Sequence, residues 1–295
     1  MNVLKKTLAL VSIPLVLLLS TSAALADTVN IYSFRQPFLI NPILEKFTAQ
    51  TGIKTKVVFA KKGLVERLKR EGKFSPADIV LTSNFNKLLV LKSEGLTQPL
   101  LNKTIKITVP RQFRDDEAHW FALTKRARGI YVSKNSSVDI DTLRYEDLAN
   151  PEFANKICTR SGKHPYNLGL IASMIAHHGE AQTEQWLRAV KSNLARKPQG
   201  NDRAQVKAIK EGLCTVSLGN SYYFGKMLQD DKQKPWADAV HLVFPNQQDR
   251  GAHINVSGAV LTKFAPNKAN AIKLLEFLVS EPAQQQYAEV NMEYP

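Results

Sequence analysis

The feature that most constrains the fold is a regular alternation of apolar extended runs and amphipathic segments, which begins at residue 29. The first three expected strands are Val29–Phe34, Ile53–Ala60 and Asp78–Thr82. A helix is expected after each, carried by Ile43, Leu44 and Phe47, then by Leu64, Val65 and Leu68, then by Phe85–Glu94. Asn41 and Pro42 form an expected helix start, and a glycine follows each helix. This β-α order predicts a doubly wound sheet with parallel pairs.

A second alternating block follows a polar, irregular stretch at residues 101–118. Two extended segments, Trp120–Lys125 and Gly129–Ser133, lead into it. Its expected elements are strands Lys156–Arg160, Cys214–Asn220, Val240–Phe244 and Ile254–Thr262, and helices Asn167–His178, Ala181–Leu194, Asp202–Glu211, Tyr222–Leu228, Lys268–Ser280 and Pro282–Glu289. Two α/β blocks without a flexible linker predict two lobes joined by extended strands, with a ligand cleft between them.

The N-terminus has the composition of an export signal. Lys5 and Lys6 precede an apolar run from Leu8 to Leu19, and the run leads to the small-x-small pattern Ala24-Leu25-Ala26. The run is too short for a spanning helix, although an uncleaved anchor is the alternative. We therefore expect residues 1–26 to be a cleaved signal peptide and the protein to be periplasmic.

The charge balance is basic, with a formal net charge of +14. Basic proteins often bind nucleic acid, but an exported chain is not expected to meet that partner. An anionic ligand, the bacterial surface, or simply a solvated basic surface remain as explanations.

The two cysteines, Cys158 and Cys214, lie in different expected strands of the second block. In an exported protein, one disulfide is the simplest expectation. A zinc site made of both cysteines with His177 or His178 is the alternative, although the metal-binding spacings of zinc sites are absent from the sequence.

Four turns carry side chains suited to binding. The first turn holds Arg35 and Gln36, and the second holds Arg126 and Arg128, whose planar guanidinium groups suit bidentate anion binding. An ordinary solvated turn is the alternative for both.

Tyrosines mark the other two turns. Tyr166 stands at the start of a helix, after Ser161 and Gly162, whose N–H groups could also face an anion. Tyr222 and Tyr223 open another helix, where both phenols can reach one point beyond the helix end and the dipole favours phenolate. Aromatic packing with satisfied hydroxyls is the alternative.

Three tyrosines on such turns suit Fe(III). Hard cations choose oxygen ligands, and phenolate is a hard anionic oxygen. Three phenolates would neutralise the ion and leave positions for an anion held by arginines. Free tyrosine has a pKa near 10, so binding must release protons and weaken in acid.

Catalytic signatures are missing from the sequence. It contains no nucleophile elbow, phosphate-binding loop, zinc-protease motif or dinucleotide fingerprint. The pair His177 and His178 stands at a helix end, where a structural role is expected. We therefore do not expect an enzyme.

At these turns the chain resembles the periplasmic ferric-ion-binding proteins of bacterial ABC importers. The resemblance is carried, in order, by NIYSFRQP, SPADIVLT, LTKRARGIY, ICTRSG, ARKPQGNDRAQVKAIKEG, GNSYYFGKM, HINVSGAV and APNKANAIKLLEFL. It implies an α/β, two-lobed type II periplasmic binding protein fold with a ligand cleft between lobes. Residues 27–124 plus 252–295 would form the N-terminal lobe, and 125–251 the C-terminal lobe.

The resemblance also implies the site. Its iron ligands fall on Tyr166, Tyr222 and Tyr223. Many members have a His-Tyr pair in the first turn, where this chain has Gln36-Pro37, as in a branch with Arg-Gln-Pro and a carbonate-like anion. Arg35, Gln36 and Arg128 match that branch's anion-binding positions. Tyr32 is the nearest other phenol and is expected to pack.

The partners implied are an inner-membrane ABC permease and ferric ion with bicarbonate or carbonate, bound by a monomer. A binding protein of the same fold for an oxyanion or a small organic solute such as thiamine is the alternative.

Overall fold

The sheet runs through both lobes of the structure, a computed structural model that describes residues 28–294. The predicted signal peptide, residues 1–26, lies outside the described residues. The strands are β1 (Thr28–Ser33), β2 (Lys54–Phe59), β3 (Ile79–Thr82), β4 (Phe121–Ser133), β5 (Ile157–Cys158), β6 (Val216–Asn220), β7 (Val240–Val243) and β8 (Ile254–Leu261). The helices are α1 (Pro37–Thr51), α2 (Leu64–Glu71), α3 (Phe85–Ser93), α4 (Lys103–Thr108), α5 (Pro165–Ser192), α6 (Asp202–Lys210), α7 (Tyr222–Leu228), α8 (Lys234–Ala237), α9 (Lys268–Leu278) and α10 (Glu281–Asn291).

The long strand β4 joins the two lobes. The strand order is β2-β1-β3-β8-β4-β6-β5, and β7 also pairs with β4. The first half of β4, up to Ala127, runs antiparallel to β8, whereas Arg128–Ser133 runs antiparallel to β6 and β7. The two extended segments expected before and after residue 127 are thus one continuous strand, and the predicted two-lobed α/β fold is confirmed.

Each lobe has apolar clusters on both faces of its part of the sheet. Along β3, Ile79 and Leu81 belong to one cluster and Val80 to another, as the two-residue period of a strand requires. Along β4, Ile130 and Val132 lie in one cluster and Tyr131 in another. The first-lobe clusters draw on residues 29–123 and 256–287, and the second-lobe clusters on 130–243. This grouping supports the lobe boundaries 27–124 plus 252–295 and 125–251, which we propose.

Helix α1 begins earlier than its sequence pattern indicates. Pro37, not Pro42, stands at its first position, and Pro42 lies inside the helix. The prediction was wrong because both prolines suit a helix start and because the buried face extends back to Ile40. Residues 101–118 are likewise less irregular than expected, since α4 lies within them.

The predicted division of α5 at Gly179 is confirmed. That glycine has φ 77° and ψ 168°, a conformation that breaks the helical path and suits glycine. The residues before and after it are helical, as the sequence pattern predicts.

The two cysteines form the expected disulfide. Cys158 and Cys214 are bonded with their Cα atoms 5.8 Å apart, and they tie β5 to the start of its parallel neighbour β6. The alternative zinc site is therefore excluded. Of its candidate histidines, His178 places Nε2 2.7 Å from Glu146 Oε1, which agrees with a structural role.

Replacing both Cys158 and Cys214 by Ser should lower the free energy of unfolding by about 2–4 kcal/mol, because the bond closes a loop of 56 residues. Urea unfolding of oxidised protein measures this. The reduced wild type is the matched control and should unfold like the double variant. Equal stability of oxidised and reduced protein would contradict the expectation.

Candidate metal centre

The turns that carry the three tyrosines lie side by side at one edge of the second lobe. Strands β5 and β6 are parallel neighbours, so the segments that follow them leave from the same edge of the sheet. The first segment enters α5, whose second residue is Tyr166, and the other enters α7, which opens with Tyr222 and Tyr223. The structure therefore brings together residues that are far apart in the sequence.

Two of the phenol oxygens lie close enough together to contact one ion, and the third ring lies beside them. The hydroxyl oxygens of Tyr166 and Tyr222 are 3.2 Å apart, and the rings of Tyr222 and Tyr223 are 4.2 Å apart between centroids. Adjacent oxygens around an octahedral ion with bonds of about 2.0 Å are about 2.8 Å apart. Among residues 28–294, no group of three His, Cys, Asp or Glu side chains is arranged to hold a metal. The tyrosine trio is the candidate oxygen set for a hard cation.

Burial disfavours the phenolate form of two of these tyrosines. It raises the pKa of Tyr222 well above its usual value, and the neighbouring phenols of Tyr166 and Tyr223 raise it further. Burial also raises the pKa of Tyr223, with Tyr166 adding to the effect. Each must lose its proton before it can bind a metal as phenolate.

Cations surround the trio on several sides. The guanidinium groups of Arg160, Arg126 and Arg128 lie 5.2, 5.9 and 6.0 Å from the centre of the Tyr166 ring. The Arg203 guanidinium lies 5.9 Å from the Tyr223 ring, and the Lys226 ammonium 5.9 Å from the Tyr222 ring. Nearby positive charge favours phenolate over phenol and attracts anions.

A buried carboxylate, Asp202, organises the two tyrosine turns. It is fully buried and accepts hydrogen bonds from Arg128 Nη1 at 2.6 Å, from Arg160 Nη1 at 3.0 Å and from the Asn220 backbone N–H at 2.9 Å. Two guanidinium charges and a backbone donor compensate its lost hydration. Asp202 thus joins α6 to β4, to the turn before α5 and to the end of β6.

Arg128 extends this network to the residues beside the ligands. Its Nη2 donates to Asn167 Oδ1 at 2.6 Å, and its Nη1 donates to Asn220 Oδ1 at 3.1 Å. Asn167 follows Tyr166 directly, and Asn220 stands two residues before Tyr222. Both terminal nitrogens of Arg128 are engaged inside the second lobe, behind the phenols. Its expected direct contact with the anion stays a prediction.

The sequence analysis missed Asp202, Asn167 and Asn220. Asp202 directly follows Asn201, whose side chain caps α6, so in the sequence it looks like an ordinary acidic residue in the first turn of a helix. The usable signal for Asp202 was Arg128, an arginine within an expected strand segment that needs a counter-charge when it is buried.

The turn before Tyr222 also depends on a close backbone approach. Tyr131 donates its hydroxyl to the carbonyl of Asn220 at 2.9 Å, and its ring lies against Gly219. A Cβ at Gly219 would lie 2.2 Å from a ring carbon of Tyr131, so only glycine fits there. This contact fixes where α7 begins.

Arg35 of the first lobe is buried. Burial lowers the pKa of Arg35, but the charge and hydrogen bond of Glu293 and the charges of Tyr287 and Tyr222 together raise it above its usual value. Its Nη2 lies 2.8 Å from Glu293 Oε2. Gln36 is half-buried and precedes α1 without capping it through its side chain.

Tyr32 packs, as expected, and does not join the trio. Its hydroxyl donates to Glu71 at 2.7 Å, and the Arg67 guanidinium lies 4.8 Å from its ring centre. Burial, followed by the hydrogen bond and charge of Glu71, raises the pKa of Tyr32 to about 12.

Comparison with known proteins agrees with this architecture. Residues 57–295 match the family model described as bacterial extracellular solute-binding protein. The chain belongs to that family. No helix among residues 28–294 is long and apolar enough to cross a membrane.

Relatives of this solute-binding protein are named for iron. It is 41% identical to iron uptake protein A1 of Synechocystis over 94% of this chain and 79% of that protein. The apo ferric ion-binding protein A of Pasteurella haemolytica superposes with a TM-score of 0.85 at 51% identity, covering 92% of this chain and 85% of that one. A Trichodesmium protein solved with iron and citrate superposes with a TM-score of 0.85 at 40% identity, covering 91% and 86%.

Replacing Asp202 by Asn should lower the free energy of unfolding by about 3–5 kcal/mol, because it leaves two buried guanidinium groups without their counter-charge. Denaturant unfolding measures the loss. Asp238→Asn is the matched control, since Asp238 is half-exposed and its pair with Lys234 contributes under about 0.5 kcal/mol. Equal small effects of the two variants would show that Asp202 does not organise the lobe.

Proposed function

We propose that this protein captures ferric iron with the phenolates of Tyr166, Tyr222 and Tyr223 and delivers it to an ABC importer. The observation that carries the proposal is the 3.2 Å approach of two phenol oxygens from separate turns, with the ring of a third tyrosine 4.2 Å from that of Tyr222. The iron-binding names of the relatives support the cargo. Ferric ion is the transported solute, not a resident cofactor.

The charges of the site suit Fe(III). Three phenolates balance the ion, and the surrounding arginines and Lys226 favour both the phenolate form and a further anion. Burial of the phenols strengthens these interactions because the local dielectric is low. A divalent ion would leave a net negative charge on the same trio, so the ligand set favours the trivalent state.

We propose that a carbonate-like anion, bicarbonate or carbonate, fills the remaining coordination positions. Arg35 and Gln36 would hold it from the first lobe, with Arg128 as the predicted donor from the second. Lys226 Nζ lies 5.9 Å from the ring centre of Tyr222 and 5.8 Å from that of Phe38, which stands three residues after Arg35, and this supports an approach of the first turn to the phenols. The iron and citrate found together in the Trichodesmium protein support the general idea that an anion accompanies iron in this fold.

The location and partners follow from the same function. We propose export by a signal peptide cleaved after Ala26, a monomer in the periplasm, and delivery to an inner-membrane ABC permease. The family and the relatives' names support iron capture over the alternative of an oxyanion or thiamine carrier of the same fold. They are names of binding and uptake proteins, which supports a binding role over an enzymatic one.

Replacing Tyr166, Tyr222 or Tyr223 singly by Phe should weaken iron binding by about a hundredfold or more, because each change removes one anionic ligand. The visible phenolate-to-iron charge-transfer band should lose intensity in each variant. Titration with ferric iron, followed by absorbance, measures both effects. Tyr32→Phe is the matched control, since its hydroxyl serves Glu71, and it should keep the wild-type band and affinity. If Tyr222→Phe and Tyr223→Phe kept them too, the assignment would be wrong.

Iron affinity should fall as the pH is lowered. The pKa values of Tyr222 and Tyr223 lie above their usual value in the empty site, so binding releases at least these two protons. One pH unit downward should therefore weaken the apparent affinity by at least about a hundredfold near neutrality. Competition against a chelator of known protonation, at pH 6 and pH 7, measures the slope. A pH-independent affinity would contradict ligation by these phenols.

A further inference from the structure

The anion position on Arg35 is already occupied by a carboxylate of the same chain. Glu293, close to the C-terminal end, places Oε2 2.8 Å from Arg35 Nη2, and the two side chains are 10% and 2% exposed. The hydroxyl of Thr124 donates to the same oxygen at 2.7 Å. This is a built site for a carboxylate, formed by residues 258 and 169 positions away in the sequence.

The positively charged side chains around Glu293 are also those that would attract the proposed anion. Besides Arg35, the positive charge of Arg126 and the hydrogen bond from Thr124 lower the pKa of Glu293, against the effect of burial. The charge of Glu293 also acts on Lys226: burial lowers the pKa of Lys226, and Glu293 opposes that effect. Arg126 and Lys226 are among the cations that face the tyrosine rings. The carboxylate therefore lies in the same field that would attract an anion to the iron.

Glu293 already lies against the guanidinium group that the anion would use. If bicarbonate or carbonate bound to Arg35 while Glu293 stayed ionised, like charges would meet in a desolvated space. Arg35 also has unused capacity, because its Nε is buried without a hydrogen-bond partner among residues 28–294. A small anion could use Nε and Nη2 together as a bidentate fork, where Glu293 uses Nη2. The buried hydroxyl of Tyr287, also without a partner there, is a further donor beside Arg35.

We propose that Glu293 is a built-in competitor of the anion: its carboxylate occupies Arg35 in the empty protein and is displaced when the anion binds with iron. This inference rests on the proposed function, in which Arg35 holds the anion. Glu293 would then determine how much bicarbonate or carbonate is needed for iron to bind. No bond is made or broken, since one anion replaces another on the same cation.

The C-terminal segment 292–294 ties this exchange to both lobes. Tyr294 exchanges two backbone hydrogen bonds with Lys125 of the joining strand β4, at 2.7 and 3.0 Å. Met292 packs against Gly225 of α7, and the Tyr294 ring lies 6.4 Å from that of Phe244, after β7. Displacement of Glu293 would therefore change the contacts that this segment makes with the second lobe.

The test compares Glu293→Gln with wild type in bicarbonate titrations of the full-length mature protein. Ferrous ammonium sulfate is oxidised in carbon-dioxide-free oxygen in the presence of the protein, and the charge-transfer band is recorded as bicarbonate is added. Gln keeps the size and an acceptor oxygen but removes the charge that competes for Arg35. The bicarbonate concentration at half-maximal band should fall about tenfold, a change of about 1.4 kcal/mol.

The matched control is Glu289→Gln, an exposed residue of the preceding helix α10 that contacts Gln285, and its half-maximal concentration should equal that of wild type. Thr124→Val, which keeps the carboxylate but removes its hydrogen bond, should shift the value in the same direction by a smaller factor. Because this variant keeps the Arg35–Glu293 pair, it serves if Glu293→Gln folds poorly.

Three results would overturn the inference. The first is an equal half-maximal concentration in Glu293→Gln and wild type. The second is a wild-type band that needs no bicarbonate while Glu293→Gln requires it, because Glu293 would then supply the anion's coordination itself. The third is a band in both proteins that is indifferent to bicarbonate.

A measurement without iron gives an independent readout. Bicarbonate alone should raise the melting temperature of Glu293→Gln more than that of wild type, because the free Arg35 gains a partner. Equal shifts would also overturn the inference. Failure of the proposed iron site is distinguished by the tyrosine variants, which change the band at saturating bicarbonate whatever Glu293 does.

Discussion

The site depends on the ion pair between Asp202 and Arg128. Removing both charges from water costs several kcal/mol per ion, and further hydrogen bonds to Arg160, Asn167 and Asn220 offset part of this cost. These contacts run to residues beside Tyr166 and before Tyr222. A single buried cluster therefore sets the spacing of phenols that come from two separate turns, before any ion arrives.

The other charge effects at the site follow from the positions of these three phenols. Burial disfavours the ionised phenols of Tyr222 and Tyr223, whereas the cations around the rings favour phenolate, so an empty site can stay neutral and a trivalent ion can replace the protons. From the first lobe we propose that the guanidinium of Arg35 takes part through the anion. Its charge is balanced by Glu293, as the charge of Arg128 in the second lobe is balanced by Asp202.

Much of the fold was predictable because its signals are local. Alternating apolar runs, the helix break at Gly179 and the pairing of Cys158 with Cys214 each follow from neighbouring residues or from a single pair. The tyrosine turns were predictable because each follows an expected strand, and the ends of parallel strands lie at the same edge of a sheet. The start of α1 was misplaced because two prolines offered the same local signal.

What could not be predicted is the set of long-range charge partners. Arg128 reaches Asp202 across 74 positions, and Arg35 reaches Glu293 across 258. Nothing near either carboxylate in the sequence distinguishes it from a solvated acid. Contact of Arg128 and Gln36 with the anion remains a prediction. The roles of Asp202 and Glu293 become visible only in the folded chain.

The most direct test of ferric capture by the trio is a crystal structure of the iron-loaded protein with anomalous scattering at the iron edge. We expect one iron bound by the phenolic oxygens of Tyr166, Tyr222 and Tyr223, with the remaining ligands supplied by an anion on Arg35. Iron elsewhere, or bound by other side chains while these phenols stay unligated, would contradict it.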